Sequence, residues 1–365
     1  MCGIVGYVGS RQVAPILLDG LSKLEYRGYD SAGVAVYTGD RLEVVKAKGR
    51  LDILRDMLDG GSNLKGTIGI GHTRWATHGQ PSDVNSHPHI SVSGRFAIVH
   101  NGIIENYMLL KNRLMEKGFA FTSETDSEVI AQLIEYYYNG DILDTVIMLQ
   151  NSLEGSYALG ILCLDHPDEI IAMRKDSPLI VGLGEGENFI ASDIPAILSH
   201  TRNIYHLEEK EIVVMKADEV KVYDTSKELV KKEVFHVDWD VSAAEKGGYE
   251  HFMMKEIMEQ PKALTDTIKP RIVDGEVVLD DVALTREELE RLDKILIVAC
   301  GSAYHTGIVA KYVMEGLTRK PVEVDLASEF RYRDPILTPN TLVVIISQSG
   351  ETADTLAALR YAKKE

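Results

Sequence analysis

Near its start the chain reads Cys2-Gly3-Ile4-Val5-Gly6-Tyr7-Val8, an apolar run in which glycines interrupt β-branched residues. Residues 4–8 of this run are typical of a buried strand. Comparable runs predict further strands at 33–37, 42–46, 67–73, 95–99, 156–164, 170–174, 179–182, 188–192 and 212–216. Helical patterns lie between them at 15–23, 106–117 and 126–138. This mixture predicts an α+β domain built on largely antiparallel sheets.

The pattern changes near residue 240. Residues 241–248 are small and polar and predict a linker, and residues 249–259 predict a helix that ends at Pro261. Strands at 294–299, 321–325 and 341–346 then alternate with helices at 308–317 and 352–363, which predicts a parallel sheet. We therefore expect a first domain at 1–240, a linker with leading helices at 241–285 and an α/β domain at 286–365. Because that sheet has few strands, we expect the second domain to be incomplete, in a shortened chain or a natural short protein.

The composition limits the possible partners. A formal net charge of −17 repels phosphate backbones, so we expect no nucleic-acid partner. No apolar run reaches the roughly 18 residues of a membrane span, and no signal peptide precedes the first strand. The chain has 3 cysteines without the spacing of a disulfide framework. These features predict a cytoplasmic protein in a reducing compartment.

Cys2 is a candidate nucleophile. If Met1 is removed, the thiol lies beside its own α-amino group, whose pKa of about 7.7–8.0 suits a general base at neutral pH. An N-terminal nucleophile that uses its own amine is a known arrangement. The alternative is a buried, inert cysteine at the start of a strand.

Four segments favour the nucleophile. They are Cys2-Gly3-Ile4-Val5-Gly6, Tyr26-Arg27-Gly28-Tyr29-Asp30-Ser31-Ala32-Gly33, Gly71-His72-Thr73-Arg74-Trp75-Ala76-Thr77-His78-Gly79 and His100-Asn101-Gly102. In sequence and in order they resemble the class II glutamine amidotransferases. This resemblance implies an Ntn-hydrolase-type αββα sandwich with glutaminase activity over the first 240 or so residues.

The resemblance assigns roles that the chemistry supports. Thiolate attack on the side-chain amide of glutamine makes an oxyanion, which Asn101 and Gly102 would stabilise. The alternative for this pair is a type I′ turn after strand 95–99, and the two interpretations are compatible. Arg74 suits the α-carboxylate of glutamine and Asp126 its α-ammonium, although Asp126 would also stabilise a helix N-terminus. Other residues resemble the family's mobile cover over the glutamine, or are packed loop residues: Trp75, Thr77, His78 and His87.

Several histidines lie close together in the sequence: His72, His78, His87, His89 and His100. Their spacing is not the His-Glu-x-x-His pattern of a helical metal site, and no Cys-x-x-Cys lies nearby. We therefore expect no metal, and the family's chemistry requires no other cofactor.

A second site is predicted in the later domain, where residues 346–355 read Ile-Ser-Gln-Ser-Gly-Glu-Thr-Ala-Asp-Thr between a strand and a helix. Hydroxyl donors at a helix N-terminus suit phosphate, although capping alone would explain them. The segment resembles the sugar-isomerase (SIS) turn of the glutamine-dependent glucosamine-6-phosphate synthases, and residues 299–305 resemble that family's other sugar-facing turn. The implied phosphate ligands are Ser302, Ser347, Gln348, Ser349 and Thr352.

Two departures from that family stand out. Ala303 replaces a usual hydroxyl residue, and the family's isomerase base, ring-opening histidine and sugar-binding lysine would lie beyond residue 365. The family's reaction converts glutamine and fructose 6-phosphate to glutamate and glucosamine 6-phosphate, the amino-sugar precursor of UDP-GlcNAc. We expect a homodimer at full length, and glutamine hydrolysis alone from this chain. The alternatives are a different ammonia acceptor, or a shortened paralogue that binds sugar phosphate or a full-length partner as a regulator.

Overall fold

The computed structural model describes residues 2–238, 247–279, 282–348, 350 and 352–365. The chain forms two compact units, residues 1–244 and 245–365. Most of the linker predicted at 241–248 lies outside the described residues, as do Ser349 and Glu351 of the predicted phosphate turn. The finer domain limits inferred from the sequence stay predictions.

The strands of the first unit form two antiparallel sheets. In chain order they are β1 (Gly3–Val8), β2 (Ser31–Tyr37), β3 (Leu42–Lys48), β4 (Ile68–Arg74), β5 (His89–Ile90), β6 (Phe96–Ile104), β7 (Gly155–Cys163), β8 (His166–Lys175), β9 (Ile180–Leu183), β10 (Asn188–Ala191), β11 (Asn203–His206), β12 (Ile212–Met215), β13 (Val220–Tyr223) and β14 (Phe235–His236). The first sheet has the order β14-β11-β9-β10-β1-β4-β2-β3, and the second β13-β12-β8-β7-β6-β5.

Helices cover the outer faces of these sheets. They are α1 (Val13–Leu24), α2 (Leu51–Met57), α3 (Tyr107–Glu116), α4 (Glu128–Tyr137) and α5 (Ile142–Ser152). Leu17 and Leu21 of α1 pack with Val5 of β1, whereas Ile134 of α4 packs with Ile98 of β6. Helices α1 and α2 therefore cover the first sheet and α3 to α5 the second.

A third apolar cluster fills the space between the two sheets. Ile4 and Ile70 of the first sheet pack against Val99 and Leu162 of the second, and all are almost fully buried. Because β1 is buried on both faces, its sequence is continuously apolar rather than alternating. The layers are thus helix, sheet, sheet and helix, which confirms the predicted αββα sandwich.

The alternative considered for Asn101 and Gly102, a type I′ turn, does not occur in the structure. Asn101 and Gly102 do not form a turn, because β6 continues to Ile104 and pairs with β7 along its whole length. The local preference of Asn-Gly for a turn is outweighed by this nine-residue pairing. Gly102 accommodates a φ of 125° within the strand, a conformation that favours glycine.

The second unit contains a small parallel sheet, as predicted. Its elements are α6 (Phe252–Ile268), β15 (Ile272–Val273), β16 (Glu276–Val277), α7 (Arg286–Arg291), β17 (Lys294–Ala299), α8 (Gly301–Thr318), β18 (Val322–Leu326), α9 (Ala327–Tyr332), β19 (Thr341–Ile346) and α10 (Ala353–Lys364). Strands β18, β17 and β19 lie side by side in that order, all parallel. Leu296 and Val298 on one face of β17 pack with Phe330 and Ala358. Ile297 on the other face lies against α8 near Gly307.

Two helix limits predicted for this unit were wrong. Helix α6 continues through Pro261 to Ile268. A proline removes a single helical N–H, and the exposed surface of this helix lets water satisfy the carbonyl that loses its partner. Helix α8 begins at Gly301 rather than at residue 308, because Gly301 turns the chain with a φ of 58° directly after β17. In the described part of the chain, no helix has the length and apolar character needed to span a bilayer.

Candidate active site

Cys2 lies at the end of the first sheet beside the segment that follows β4. Antiparallel pairing sets Gly3 opposite Thr73, so the chain leaving β4 passes the thiol. The main-chain N–H of Trp75 donates a hydrogen bond to Cys2 Sγ at 3.1 Å. Burial raises the pKa of the Cys2 thiol above its usual value, with the Trp75 hydrogen bond acting in the opposite direction. The resting sulfur is therefore a neutral thiol that needs a base before it can attack.

Asn101 belongs to the second sheet and contacts Cys2 directly. Its Nδ2 donates a hydrogen bond to the main-chain carbonyl of Cys2 at 2.9 Å. Gly102 follows it, and a Cβ there would lie 2.1 Å from the carbonyl oxygen of Ser156 on β7. The structure thus brings Asn101, with Gly102 next to it in the chain, to Cys2 at the start of β1.

Asp126 is held close to the same strand. Its Oδ2 accepts a hydrogen bond from the main-chain N–H of Ile104 at 2.8 Å, and the side chain is buried. At the start of α4, Thr125 Oγ1 accepts a hydrogen bond from Glu128 N at 3.3 Å. The Glu128 carboxylate in turn accepts from Ser123 N at 2.6 Å. Asp126 is therefore fixed in place at the end of β6.

Arg74, the predicted ligand of the glutamine carboxylate, is buried and binds the loop that follows it. Its guanidinium donates hydrogen bonds to the carbonyl oxygens of His78, of Gly79 at 3.0 Å and of Gln80 at 3.5 Å. Lys46 Nζ holds the far side of the loop by donating to Ser86 O at 3.0 Å. The loop over residues 75–86 is thus attached to the domain at both ends through buried or half-buried cations.

The four residues predicted as a cover over the glutamine do not share one environment. Trp75 is 47% exposed and meets the ring of Tyr29 edge-on at 5.4 Å. Thr77 is exposed and His78 half-buried, both on the loop. His87 is instead only 4% exposed. Its ring packs against other histidines, so its contacts are those of a buried residue.

His87 is part of a buried group of histidines with His72, His89 and His100. The ring of His87 stacks on that of His72 at 4.1 Å and meets that of His89 at 4.7 Å. Burial lowers the pKa of all four side chains, that of His72 to about 3. All four are neutral at physiological pH. Among the described residues, no group of three or more His, Cys, Asp or Glu side chains is positioned to hold a metal ion.

Three residues that position the site received no individual role from the sequence: Gly28, Asp30 and His72. Gly28 lies against the main chain of Arg74, where a Cβ would be 2.6 Å from the carbonyl carbon. The Asp30 carboxylate accepts a hydrogen bond from Ala76 N, and Asp30 N donates to Arg74 O at 3.2 Å. All three lie in segments that carried the family resemblance, but their contacts are long-range, so the sequence shows only that the segments matter.

In the second unit, the predicted phosphate ligands that the structure describes lie in the two turns at one edge of the parallel sheet. Ala299 and Ile346 are register partners at the ends of β17 and β19, so the turns that follow lie side by side. Ser347 Oγ accepts a hydrogen bond from Gly350 N at 3.0 Å. The two turns are linked by Thr355 Oγ1, which lies 3.7 Å from Cys300 Sγ.

The predicted ligands on these turns differ in exposure. Ser302 lies in the first turn of α8 and is exposed, as is Gln348. Ser347 and Thr352 are half-buried, and Thr352 is the N-terminal cap residue of α10. Ser349 lies outside the described residues.

Comparison with known proteins agrees with this arrangement. Residues 58–246, more than half of the chain, match the glutamine amidotransferase domain. The chain belongs to the glutamine amidotransferase domain family. Residues 288–365 also match the SIS domain. The family match covers Arg74, Asn101 and Asp126, three of the residues discussed above.

Curated relatives align with the chain over nearly all of its length. The glutamine--fructose-6-phosphate aminotransferase [isomerizing] of Caldanaerobacter subterraneus subsp. tengcongensis is 60% identical over 366 residues, which cover 100% of this chain and 60% of the relative. That of Clostridium perfringens is 60% identical over 361 residues, covering 99% of this chain and 59% of the relative. The chain thus spans about 60% of the length of the curated relatives it matches.

Solved structures show the fold of the amidotransferase. The glutamine phosphoribosylpyrophosphate amidotransferase of B. subtilis, complexed with ADP and GMP, superimposes with a TM-score of 0.57 at 21% identity, over 95% of this chain and 69% of the other. A structure described as the allosteric regulatory enzyme of purine biosynthesis gives a TM-score of 0.55 at 23% identity, over 88% and 65%. These similarities show a shared fold.

Proposed function

We propose that the first unit hydrolyses glutamine with Cys2 as the nucleophile. The observation that carries this proposal is the pair of hydrogen bonds at Cys2, from Trp75 N to its sulfur and from Asn101 Nδ2 to its carbonyl. Together they set an oxyanion donor beside a neutral thiol. The roles of Arg74 and Asp126 as ligands of the glutamine carboxylate and ammonium are part of the same proposal.

The reaction follows from these positions. The α-amino group of Cys2, free once Met1 is removed, takes the thiol proton, and the sulfur attacks the side-chain carbonyl carbon of glutamine. Asn101 and Gly102 stabilise the resulting oxyanion. As it collapses, the carbon–nitrogen bond breaks and the amine's proton leaves with ammonia. Water then cleaves the γ-glutamyl thioester, which releases glutamate and restores the thiol.

We further propose that the complete protein transfers this ammonia to fructose 6-phosphate and forms glucosamine 6-phosphate. Support comes from the curated relatives and from the adjacent turns at the ends of β17 and β19, which offer hydroxyl and amide donors beside the start of α10. Ser302, Ser347, Gln348, Ser349 and Thr352 are the proposed phosphate ligands. No cofactor takes part in either step. A homodimer at full length and a cytoplasmic location belong to the same proposal.

The nucleophile is tested on the chain itself. Wild type should release glutamate and ammonia from glutamine, and intact mass should show that Met1 is absent from active protein. Cys2→Ala should abolish hydrolysis, whereas Cys163→Ala, which removes a buried sulfur from β7, should retain it. Hydrolysis by Cys2→Ala, or by protein that keeps Met1, would disprove the mechanism.

The sugar site is tested by calorimetric titration of fructose 6-phosphate. A Ser347→Ala, Thr352→Ala double variant should bind more weakly than wild type because two hydroxyl donors are lost. Thr318→Ala is the control, since Thr318 is at the other end of α8, where its Oγ1 donates to Met314 O and accepts from Lys320 N. Equal binding by wild type and the double variant, with unchanged circular dichroism, would remove this turn from the site.

A further inference from the structure

The hydrogen bonds around Asn101 fix which way its amide faces. His72 Nε2 lies 3.0 Å from the main-chain carbonyl of His100 and 3.0 Å from Asn101 Oδ1. A carbonyl oxygen can only accept, so His72 Nε2 must carry a hydrogen. The same N–H faces the Asn101 side chain, which must therefore present its oxygen to His72.

The nitrogen end of the Asn101 amide independently indicates the same orientation of the side chain. Asn101 Nδ2 lies 2.9 Å from the carbonyl oxygen of Cys2, which again can only accept. Both ends of this hydrogen-bonded group are therefore fixed by main-chain carbonyls. The carbonyl of His100 accepts from His72, and the carbonyl of Cys2 accepts from Asn101. An amide nitrogen carries two hydrogens, so one remains for the oxyanion after Cys2 is satisfied.

We propose that His72 is a positioning residue that holds the Asn101 amide with its N–H groups towards Cys2, ready for the oxyanion formed during glutamine hydrolysis. This inference rests on the proposed glutaminase function. Without His72, the Cys2 carbonyl would be the one described partner left to hold the amide of Asn101, and a flipped amide would direct its oxygen at the oxyanion and repel it. His72 removes that orientation.

The surroundings of His72 keep it in the required form. Its ring is 1% exposed and stacks on His87, whose Nδ1 accepts a hydrogen bond from His100 N at 3.2 Å. No described residue is a hydrogen-bond partner of His72 Nδ1. A second proton there would be buried without an acceptor, so the ring stays neutral with its hydrogen on Nε2.

A matched pair of substitutions separates positioning from packing. In His72→Gln the longer amide places its nitrogen near the former Nε2, whereas in His72→Asn the nitrogen reaches only the former Nδ1. Both variants bury one amide, so their costs in stability are similar. His72→Gln should retain most of the turnover, and His72→Asn should lose on the order of 10- to 100-fold, the range known for outer-shell partners of metal ligands. KM for glutamine should change little in either.

A double-mutant cycle tests whether His72 acts through Asn101. In an Asn101→Ala background, His72→Asn should cause no further loss of turnover, because the amide it orients is gone. Rates are referred to the folded fraction measured by circular dichroism, and His89→Asn is the control, since His89 lies in the same buried group but contacts Thr125. His89→Asn should stay close to wild type in turnover.

Each outcome bears on one claim. An equal loss in His72→Gln and His72→Asn, an equal loss from His72→Asn with and without Asn101, or a loss as large in His89→Asn would overturn the positioning role. None of those results would contradict the proposed glutamine hydrolysis by wild type. The absence of hydrolysis by wild type, or its persistence in Cys2→Ala, would instead overturn the proposed function.

Discussion

Gly28 lies directly against the main chain of Arg74, so closely that a Cβ on Gly28 would sit 2.6 Å from the Arg74 carbonyl carbon and 2.9 Å from Trp75 N. The φ of Gly28 is −167°, an extended conformation open to any residue. Its requirement for glycine is therefore one of space. The group that a side chain would displace is the N–H that donates to Cys2 Sγ.

Gly28→Ala should consequently lower glutamine turnover, and it should also lower stability, because the atoms that must move belong to the main chain. The added methyl must push Trp75 N away from the sulfur, and a displacement of about 1 Å in a reacting group can cost on the order of 100-fold in rate. Steady-state kinetics and thermal melting would measure the two effects. Gly316→Ala is a control, since nothing lies within 4 Å of its added Cβ and its φ is outside the left-handed region. Wild-type turnover in Gly28→Ala would contradict this account.

Asn101→Ala should reduce kcat by roughly 10²–10³ while KM for glutamine stays near its wild-type value, because an oxyanion donor acts only in the transition state. The measurement is steady-state glutamine hydrolysis. A raised KM with unchanged kcat would show that Asn101 binds the ground state instead.

Arg74→Ala should act mainly on glutamine affinity, at a cost on the order of 2–5 kcal/mol for a lost charged contact. The structure adds a second effect, since the guanidinium also holds the carbonyls of His78, Gly79 and Gln80. Amide hydrogen exchange over residues 76–86 should therefore accelerate in the variant. Unchanged exchange there would show that Lys46 and the other contacts suffice to hold the loop.

Gly102→Ala should destabilise the first unit. The residue combines a φ of 125° with a Cβ position 2.1 Å from Ser156 O, so the β6–β7 pairing would have to shift. Gly94→Ala is the matched control, because Gly94 has a φ of 77° but open space around it. Urea unfolding should show a clearly larger loss for Gly102→Ala. Equal losses would mean that backbone conformation alone matters.

Acidification should destabilise the fold through the buried histidines. Because the pKa of His72, His87, His89 and His100 is lowered in the folded state, the unfolded state binds more protons once the pH falls below about 6.5. Each should reduce the unfolding free energy by up to about 1.4 kcal/mol per pH unit below that value, and by nothing above it. Urea midpoints at pH 7.5 and 5.5 measure the effect. His89→Gln should lessen the pH dependence, and an unchanged dependence would contradict the assignment for His89.

Much of the fold is visible in local sequence patterns. The strands predicted at 294–299 and 341–346 match β17 and β19 residue for residue, since parallel strands are short apolar runs between turn signals. The turn considered for the Asn-Gly pair does not form, because pairing with β7 outweighs the local turn preference. That pairing joins residues more than fifty positions apart. The predicted helix end at Pro261 was wrong because this helix is exposed enough to tolerate a lost hydrogen bond.

The candidate site was predictable in its membership but not in its geometry. Cys2, Arg74 and Asn101 were identified from residue chemistry and resemblance, and the fold brings Cys2 and Asn101 into contact. The function suggested for His72 could not be found this way, because it depends on which atoms face Asn101 and His100 across two sheets. A buried histidine in a sequence is compatible with packing, metal binding or positioning alike.

The proposed nucleophile and its oxyanion donor belong to different sheets, Cys2 at the start of β1 and Asn101 on β6. The apolar layer between the sheets, with Ile70 and Val99 among its members, limits how far one sheet can slide over the other, together with the few hydrogen bonds that His72 and Asn101 make across it. A slide of one ångström would leave every strand and its hydrogen bonds whole, yet would separate sulfur and amide. Heat or pressure that loosens this layer would then abolish the proposed activity before the secondary structure is lost. Circular dichroism would still give a native spectrum.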